Sequence, residues 1–138
     1  MFDAETTGSS RMADLGVGMK MLLPGASNIV FDNGDNSHEE LFDVSRPTIY
    51  VTCNWYSRFQ NYQTGEFSTI PRDAMFLVEK GEMKPIKNMR ISDNSLRMFA
   101  NIDALGNDRI QVYWWEVRTP TVISTMRIRD CKMTVATQ

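Results

Sequence analysis

The stretch from Pro71 to Asp108 constrains this chain most: PRDAMFLVEKGEMKPIKNMRISDNSLRMFANIDALGND. Its pattern changes period twice. Ala74–Glu79 reads as a strand, Lys80-Gly81 as a tight turn, and 82–91 as the returning strand. Pro85 cannot donate to a β-ladder, so it marks an edge or a bulge. Ser92, Asp93, Asn94 and Ser95 then offer N-cap oxygens, and Leu96, Phe99, Ile102 and Leu105 recur at helical spacing. Gly106 stands where a left-handed C-cap belongs. The spacing predicts a helix over about 94–105 that lays these four side chains on a sheet. Emptying the Phe99 site should then cost about 3–5 kcal/mol.

Strand patterns surround this stretch. Residues 1–28 read as a loop-rich N-terminal arm, and 29–138 as one β-rich domain. Asn28-Ile29-Val30-Phe31 is a short apolar run that ends at the turn signal Asp32-Asn33-Gly34-Asp35. Ser37 and Glu40 are spaced as a capping box, which predicts a short helix over about 38–43 before Arg46-Pro47 excludes it. From Thr48 to Tyr62, Ile49, Val51, Cys53, Trp55 and Phe59 alternate with Tyr50, Thr52, Asn54, Tyr56 and Arg58, as on a strand. Gln63-Thr64-Gly65-Glu66 reads as its hairpin turn. Arg109–Val117 and 122–135 read as closing strands, the second bulged near Asp130. The fold class expected is a β-rich α+β domain, a curled antiparallel sheet or barrel with one covering helix and one short helix.

The residues Arg72-Asp73, Phe76-Leu77-Val78-Glu79, Gly81-Glu82-Met83, Pro85-Ile86-Lys87-Asn88 and Arg90, followed by Ile102, Ala104 and Gly106, resemble a segment of the C-terminal domain of the TldD/PmbA proteins. That family of intracellular peptidases is often labelled modulators of DNA gyrase. Its segment has the form R-D-x-x-F-L-I-E-x-G-E-I-x-x-P-V-K-N-x-R, closed by I-x-A-x-G. Thr7-Gly8 through Pro24-Gly25-Ala26-Ser27-Asn28 is similar to the family's approach to this domain, and Ser37–Leu41 to its short acidic helix. The resemblance runs from about Asn28 to Arg129. It implies a β-rich fold. Because family members are far longer, it also implies either one domain of a longer chain or a shortened relative.

Composition excludes several classes. Fifteen basic residues scattered among seventeen acidic ones, for a net charge of −2, make no footprint for a phosphate backbone. No stretch approaches the roughly 20 apolar residues of a membrane span. Met19–Pro24 is short and interrupted by Lys20, and Met1–Glu5 lack the pattern of a signal peptide. Cys53 and Cys131 make no disulfide framework, so both are expected as free thiols in a cytoplasmic protein.

The family's catalytic member resembles a zinc peptidase. In it H-E-x-x-x-H on a helix sets two imidazoles one turn apart, and a cysteine of the C-terminal domain completes the site. Here His38-Glu39 opens the motif, but Phe42 and Asp43 stand where the second histidine would be. No cysteine lies in Arg109–Arg118, where the family carries its metal ligand. His38, Cys53 and Cys131 have zinc-compatible chemistry but no diagnostic spacing. No nucleophile elbow or P-loop is present. Trp55-Tyr56-Ser57-Arg58 resembles the W-Y-x-R of the PmbA side.

The resemblance therefore implies a non-catalytic, PmbA-like domain of a TldD/PmbA-type zinc peptidase complex acting on unfolded or small peptides. It would shape the chamber or the subunit interface. Zinc is expected only in a TldD-like catalytic partner, and no catalytic or metal residues in this chain. Trp55, Tyr56, Arg58, Trp114 and Trp115 are the candidate interface or peptide contacts, because Trp, Tyr and Arg dominate interface hot spots. The adjacent tryptophans, read as lying in a strand, would point to opposite faces. A homo-oligomer is expected in isolation. Two alternatives remain: a stand-alone β-barrel that binds a peptide along a sheet edge, and an enzyme whose metal ligands come from several subunits.

Overall fold

The fold is described from a computed structural model, which defines residues 8–42, 45–87 and 89–135, with Trp55 defined in its backbone alone. In chain order the elements are β1 (Ser10–Asp14), β2 (Lys20–Pro24), β3 (Ile29–Val30), β4 (Thr48–Val51), β5 (Asn54–Asn61), β6 (Glu66–Pro71), β7 (Met75–Glu79) and β8 (Glu82–Pro85). They continue with β9 (Met89–Asn94), α1 (Ser95–Ala100), β10 (Ile102–Leu105), β11 (Ile110–Val112), β12 (Thr121–Ile123), β13 (Met126–Ile128) and β14 (Met133–Val135). This is a β-rich α+β fold. Its described strands form separate sheets of two to four strands, and no closed barrel is among them. Among the described residues no helix is long and apolar enough to cross a membrane.

Contacts divide the chain into two compact units, residues 1–32 with 110–123 and residues 33–109 with 124–138. In the first, β1 and β2 pair as a hairpin within the stretch that the sequence reads as loop-rich. Its turn closes by Leu15 N–H donating to the Met19 carbonyl at 2.9 Å. A second sheet of this unit has the order β11-β12-β3, with β3 parallel to β12.

The second unit holds a four-stranded antiparallel sheet, β14-β9-β6-β5, a three-stranded one, β4-β7-β8, and the pair β10-β13. Turn chemistry sets two of its hairpins. Asn61 Oδ1 accepts from the amides of Gln63 and Thr64 at 2.9 and 3.3 Å, and Gly65 closes that turn at φ 76°. Lys80 and Gly81 both take positive φ, which matches the twist of the strands they join. Pro85 ends the edge strand β8, as its missing donor requires. Leu41, Met75, Val78 and Ile91 form the apolar core, beside buried Ser68, Thr69, Asp93 and Ser124.

The predicted long helix is the main correction. Asn94 caps α1 by accepting from the Arg97 amide at 3.0 Å, but the helix ends at Ala100. Leu96 and Phe99 are 71% and 53% exposed rather than laid on a sheet. Ile102 and Leu105 belong to β10 and pair with Ile128 and Met126 of β13. A register shift between Ile102 and Ala104 supplies one extra residue, so two positions three apart fall on one strand face. A bulged strand has thus imitated the helical period.

Gly106 is not a left-handed cap either. It is buried, and its N–H donates to the Thr125 carbonyl at 2.8 Å. The predicted helix at 38–43 is a set of turns over the described residues 38–42, with 43 outside them. The capping box nonetheless forms: Ser37 N–H reaches Glu40 Oε2 at 2.7 Å, and the Glu40 amide reaches Ser37 Oγ at 3.3 Å. Caps alone do not repay the nucleation of so short a helix. The strands read as 48–62, 82–91 and 122–135 each break where the chain moves to a new partner strand; in the last, Asp130 turns at φ 54°. Gly34 is required by proximity rather than by φ, since a Cβ there would stand 1.9 Å from the Leu105 carbonyl oxygen.

Asp93 joins these elements. Burial works to raise its carboxyl, but hydrogen bonds from Arg97 and from the Lys132 and Asn94 amides, with the Arg97 charge, bring it down to about 2 from an ordinary 3.8. Because the folded value lies below the unfolded one, the linked stability is present above the unfolded pKa and lost as pH falls from about 4 to about 2. We expect urea titrations to show a loss of about 2 kcal/mol over that window from this group, and Asp93→Asn to lack that step. Phe99→Ala should cost less than about 1 kcal/mol, as for other exposed positions.

Candidate functional site

Strand β5 carries three of the five residues that the sequence singles out, and its irregularity decides where the Tyr56 and Arg58 side chains go. Position 55 pairs with Ile70 and Arg58 with Ser68, so one residue is inserted between them. Tyr56 sits in that bulge at φ 57°, a left-handed conformation that a bulky residue rarely takes. The insertion also breaks the alternation predicted for this strand. A cluster surrounds it. The guanidinium carbon of Arg58 lies 5.5 Å from the centre of the Tyr56 ring, and that of Arg72 lies 4.9 Å from it.

Arg72 was missing from the sequence-derived candidates. It follows β6, and the pairing of Asn54 with Pro71 brings it beside the bulge. Its place in the R-D pair of the family segment was the available signal. Both guanidiniums are exposed, and among the described residues neither forms an ion pair with a carboxylate. Phe59 stacks on Tyr62 farther along the strand, with ring centres 5.0 Å apart.

Trp114 and Trp115 belong to the other unit. They do not lie in a strand: β11 stops at Val112, and Trp114 N–H closes a turn onto the Val117 carbonyl at 3.2 Å. They are 46% and 51% exposed. With Tyr113 and Arg118 they line an open recess of about 630 Å³. Of the Trp55 side chain nothing is described.

A cleft of about 540 Å³ opens within the second unit, with Leu41, Ile91 and Met126 among its lining. Arg127 and Arg129 border it, but both are engaged by Asp103. Arg127 donates to the two Asp103 oxygens at 2.9 and 3.1 Å and to the Leu41 carbonyl at 3.3 Å, and Arg129 Nε donates to Asp103 Oδ2. The Arg127 hydrogen bonds lead in holding the Asp103 carboxyl below its ordinary value; burial opposes them and Arg129 reinforces them.

His38, also at the cleft, packs edge-on against Phe42 and Tyr50, and its Nδ1 lies 3.7 Å from Asp108 Oδ2. Asp108 accepts from Thr125 Oγ1 at 2.5 Å and from the Thr125 amide at 2.9 Å. The carboxylate stands between imidazole and hydroxyl. A general base must instead stand between hydroxyl and carboxylate, so this is not a nucleophile triad.

A metal finds no better footing. Among the described residues no three His, Cys, Asp or Glu side chains come together. His38, Cys53 and Cys131, whose chemistry alone would suit zinc, are not assembled into a site. Among the described residues, the donors do not by themselves assemble a set that a catalytic zinc would fit.

The family model described as the PmbA/TldA metallopeptidase C-terminal domain matches residues 1–135. The chain belongs to this family. Among solved structures, it is similar to TldE from Thermococcus kodakarensis, at a TM-score of 0.76 and 18% identity. The match covers 95% of this chain and 28% of that one, so the chain spans under a third of the length of that relative. At this identity the likeness shows the fold alone. A search of the curated proteins finds no match.

One site prediction concerns Cys131. Burial, reinforced by the Asp93 charge and opposed by Arg97, pushes its thiol above the ordinary 9.0. Since the thiolate is the nucleophile, iodoacetamide should modify Cys131 at pH 7 several-fold more slowly than a cysteine in a short peptide. Urea should remove the difference.

Proposed function

We propose that this chain is a non-catalytic, PmbA-like C-terminal domain of a TldD/PmbA-type zinc peptidase complex, in which it forms part of the subunit interface or of the peptide chamber. The observation that carries this reading is the combination of family membership with a stretch, Arg109–Arg118, that holds no cysteine where the resemblance places the family's metal ligand. In a metallopeptidase the metal-bound water does the chemistry. A domain without that thiolate would contribute shape and surface to such an assembly. The partner would be a TldD-like subunit carrying H-E-x-x-x-H, the substrates unfolded or small peptides, and the location the cytoplasm. Exposed Tyr56, Trp114 and Trp115 are contacts of the kind such an interface uses.

A second reading, a stand-alone module that binds an extended peptide, is favoured by β5 being an edge strand with exposed Tyr56, Arg58 and Phe59. The two bulges in β5 count against it, because bulges turn an edge away from strand addition.

The test is reconstitution. The chain alone, a TldD-like subunit alone and their mixture are assayed on a small unfolded peptide, with zinc measured in each. We expect hydrolysis to require the partner, zinc to follow the partner, and the two chains to co-elute. One zinc per copy of this chain purified alone, or hydrolysis by it alone, would reject the proposal.

A further inference from the structure

We propose that Tyr56, Arg58 and Arg72 form a subsite for a carboxylate, of the kind carried by a peptide chain end. Three observations lead there. Two guanidiniums converge on one aromatic ring, each within the range where the ring face attracts a cation. That attraction is weak at an exposed site. It aligns the two cations but leaves their mutual repulsion and their hydrogen-bonding edges unanswered. Neither is answered by a carboxylate of the described residues, although the chain pairs its cleft arginines 127 and 129 with Asp103.

The third observation is the backbone. The ring is held at this point by a bulge in which Tyr56 adopts φ 57°. A bulky side chain in that region is strained. On a regular strand Tyr56 and Arg58 would share one face by period two; here the left-handed residue sets the direction of the ring. An Arg guanidinium offers planar, forked donors that match a carboxylate. A ligand carboxylate set against this pair would satisfy charge and donors together. A phosphate has the same basic chemistry, so the experiment must separate the two. The proposal stands on this cluster and not on the peptidase reading, and its test needs no partner subunit.

The probes are N-acetylated trialanine with a free C-terminal carboxylate, the same peptide as its C-terminal amide, and inorganic phosphate. Each is titrated into the full chain while the arginine Nε–Hε resonances are followed by NMR. The free acid should shift the Arg58 and Arg72 signals, and the amide should not. Arg58→Gln and Arg72→Gln should each weaken binding about fivefold, as expected for exposed charge pairs, and the double variant should abolish it. Arg72→Lys, which keeps the charge but loses the fork, should fall between wild type and Arg72→Gln. Tyr56→Gly preserves the left-handed backbone without strain and removes the ring, so it should weaken binding with both arginines present. Thermal unfolding of every variant identifies any loss that comes from misfolding. Equal binding of acid and amide, or unchanged binding in the folded double variant, would overturn the proposal. Phosphate binding without binding of the free acid would also overturn it.

Discussion

The second unit depends on the Asp93 carboxylate, whose side chain is fully removed from solvent. It accepts from Arg97 Nε at 2.8 Å, from the Lys132 amide at 2.8 Å and from the Asn94 amide at 2.7 Å, with Arg97 Nη2 as a further donor. Those donors come from α1, from the approach to β14 and from the end of β9. Arg97 also donates to the Asp130 carbonyl at 2.8 Å, so one ion pair anchors the helix and the left-handed turn before the last strand. A buried ion pair is no guarantee of net stability against an apolar replacement. Removing one partner, however, strands a charge beside a backbone arranged to receive it. What this pair supplies is register: it fixes where β9 ends and where β14 begins.

Backbone proximity supplies the other constraint. Residues 33–36 lie against 105–107 through main-chain bonds, Gly34 N–H to the Gly106 carbonyl at 3.0 Å and Asn107 N–H to the Asn36 carbonyl at 2.8 Å. A side chain at Gly34 would occupy the space of the Leu105 carbonyl. These contacts help fix the segment next to which Asp108, Thr125 and His38 meet. Chemistry at that meeting point is limited because Asp108 is already satisfied by Thr125, and its carboxyl is held low first by that hydroxyl. The same economy holds at Asp103, whose two arginines are spent on structure. Arg58 and Arg72 differ because their orientation comes from a ring and not from an acid.

The sequence by itself determined the β-rich class, the family, the turns near 63–66 and at 80–81, the capping box at Ser37, a helix cap within 92–95, and an edge or bulge at Pro85. These are local matters, settled by side-chain oxygens, glycine, proline and period-two patterning within a few residues. Tertiary structure alone decided the rest. Ile102 and Leu105 keep helical spacing, yet pairing with β13 outweighs it, and the bulge at Ile102/Ala104 lets a strand satisfy that spacing. The bulge at Tyr56 likewise shifts the two-residue alternation of β5 by one position, and only the β5–β6 pairing carries Arg72 to the ring. A bulge costs one residue of register and has no fixed sequence signature. Its position follows from which strands pair, and that is set by contacts far apart in the chain.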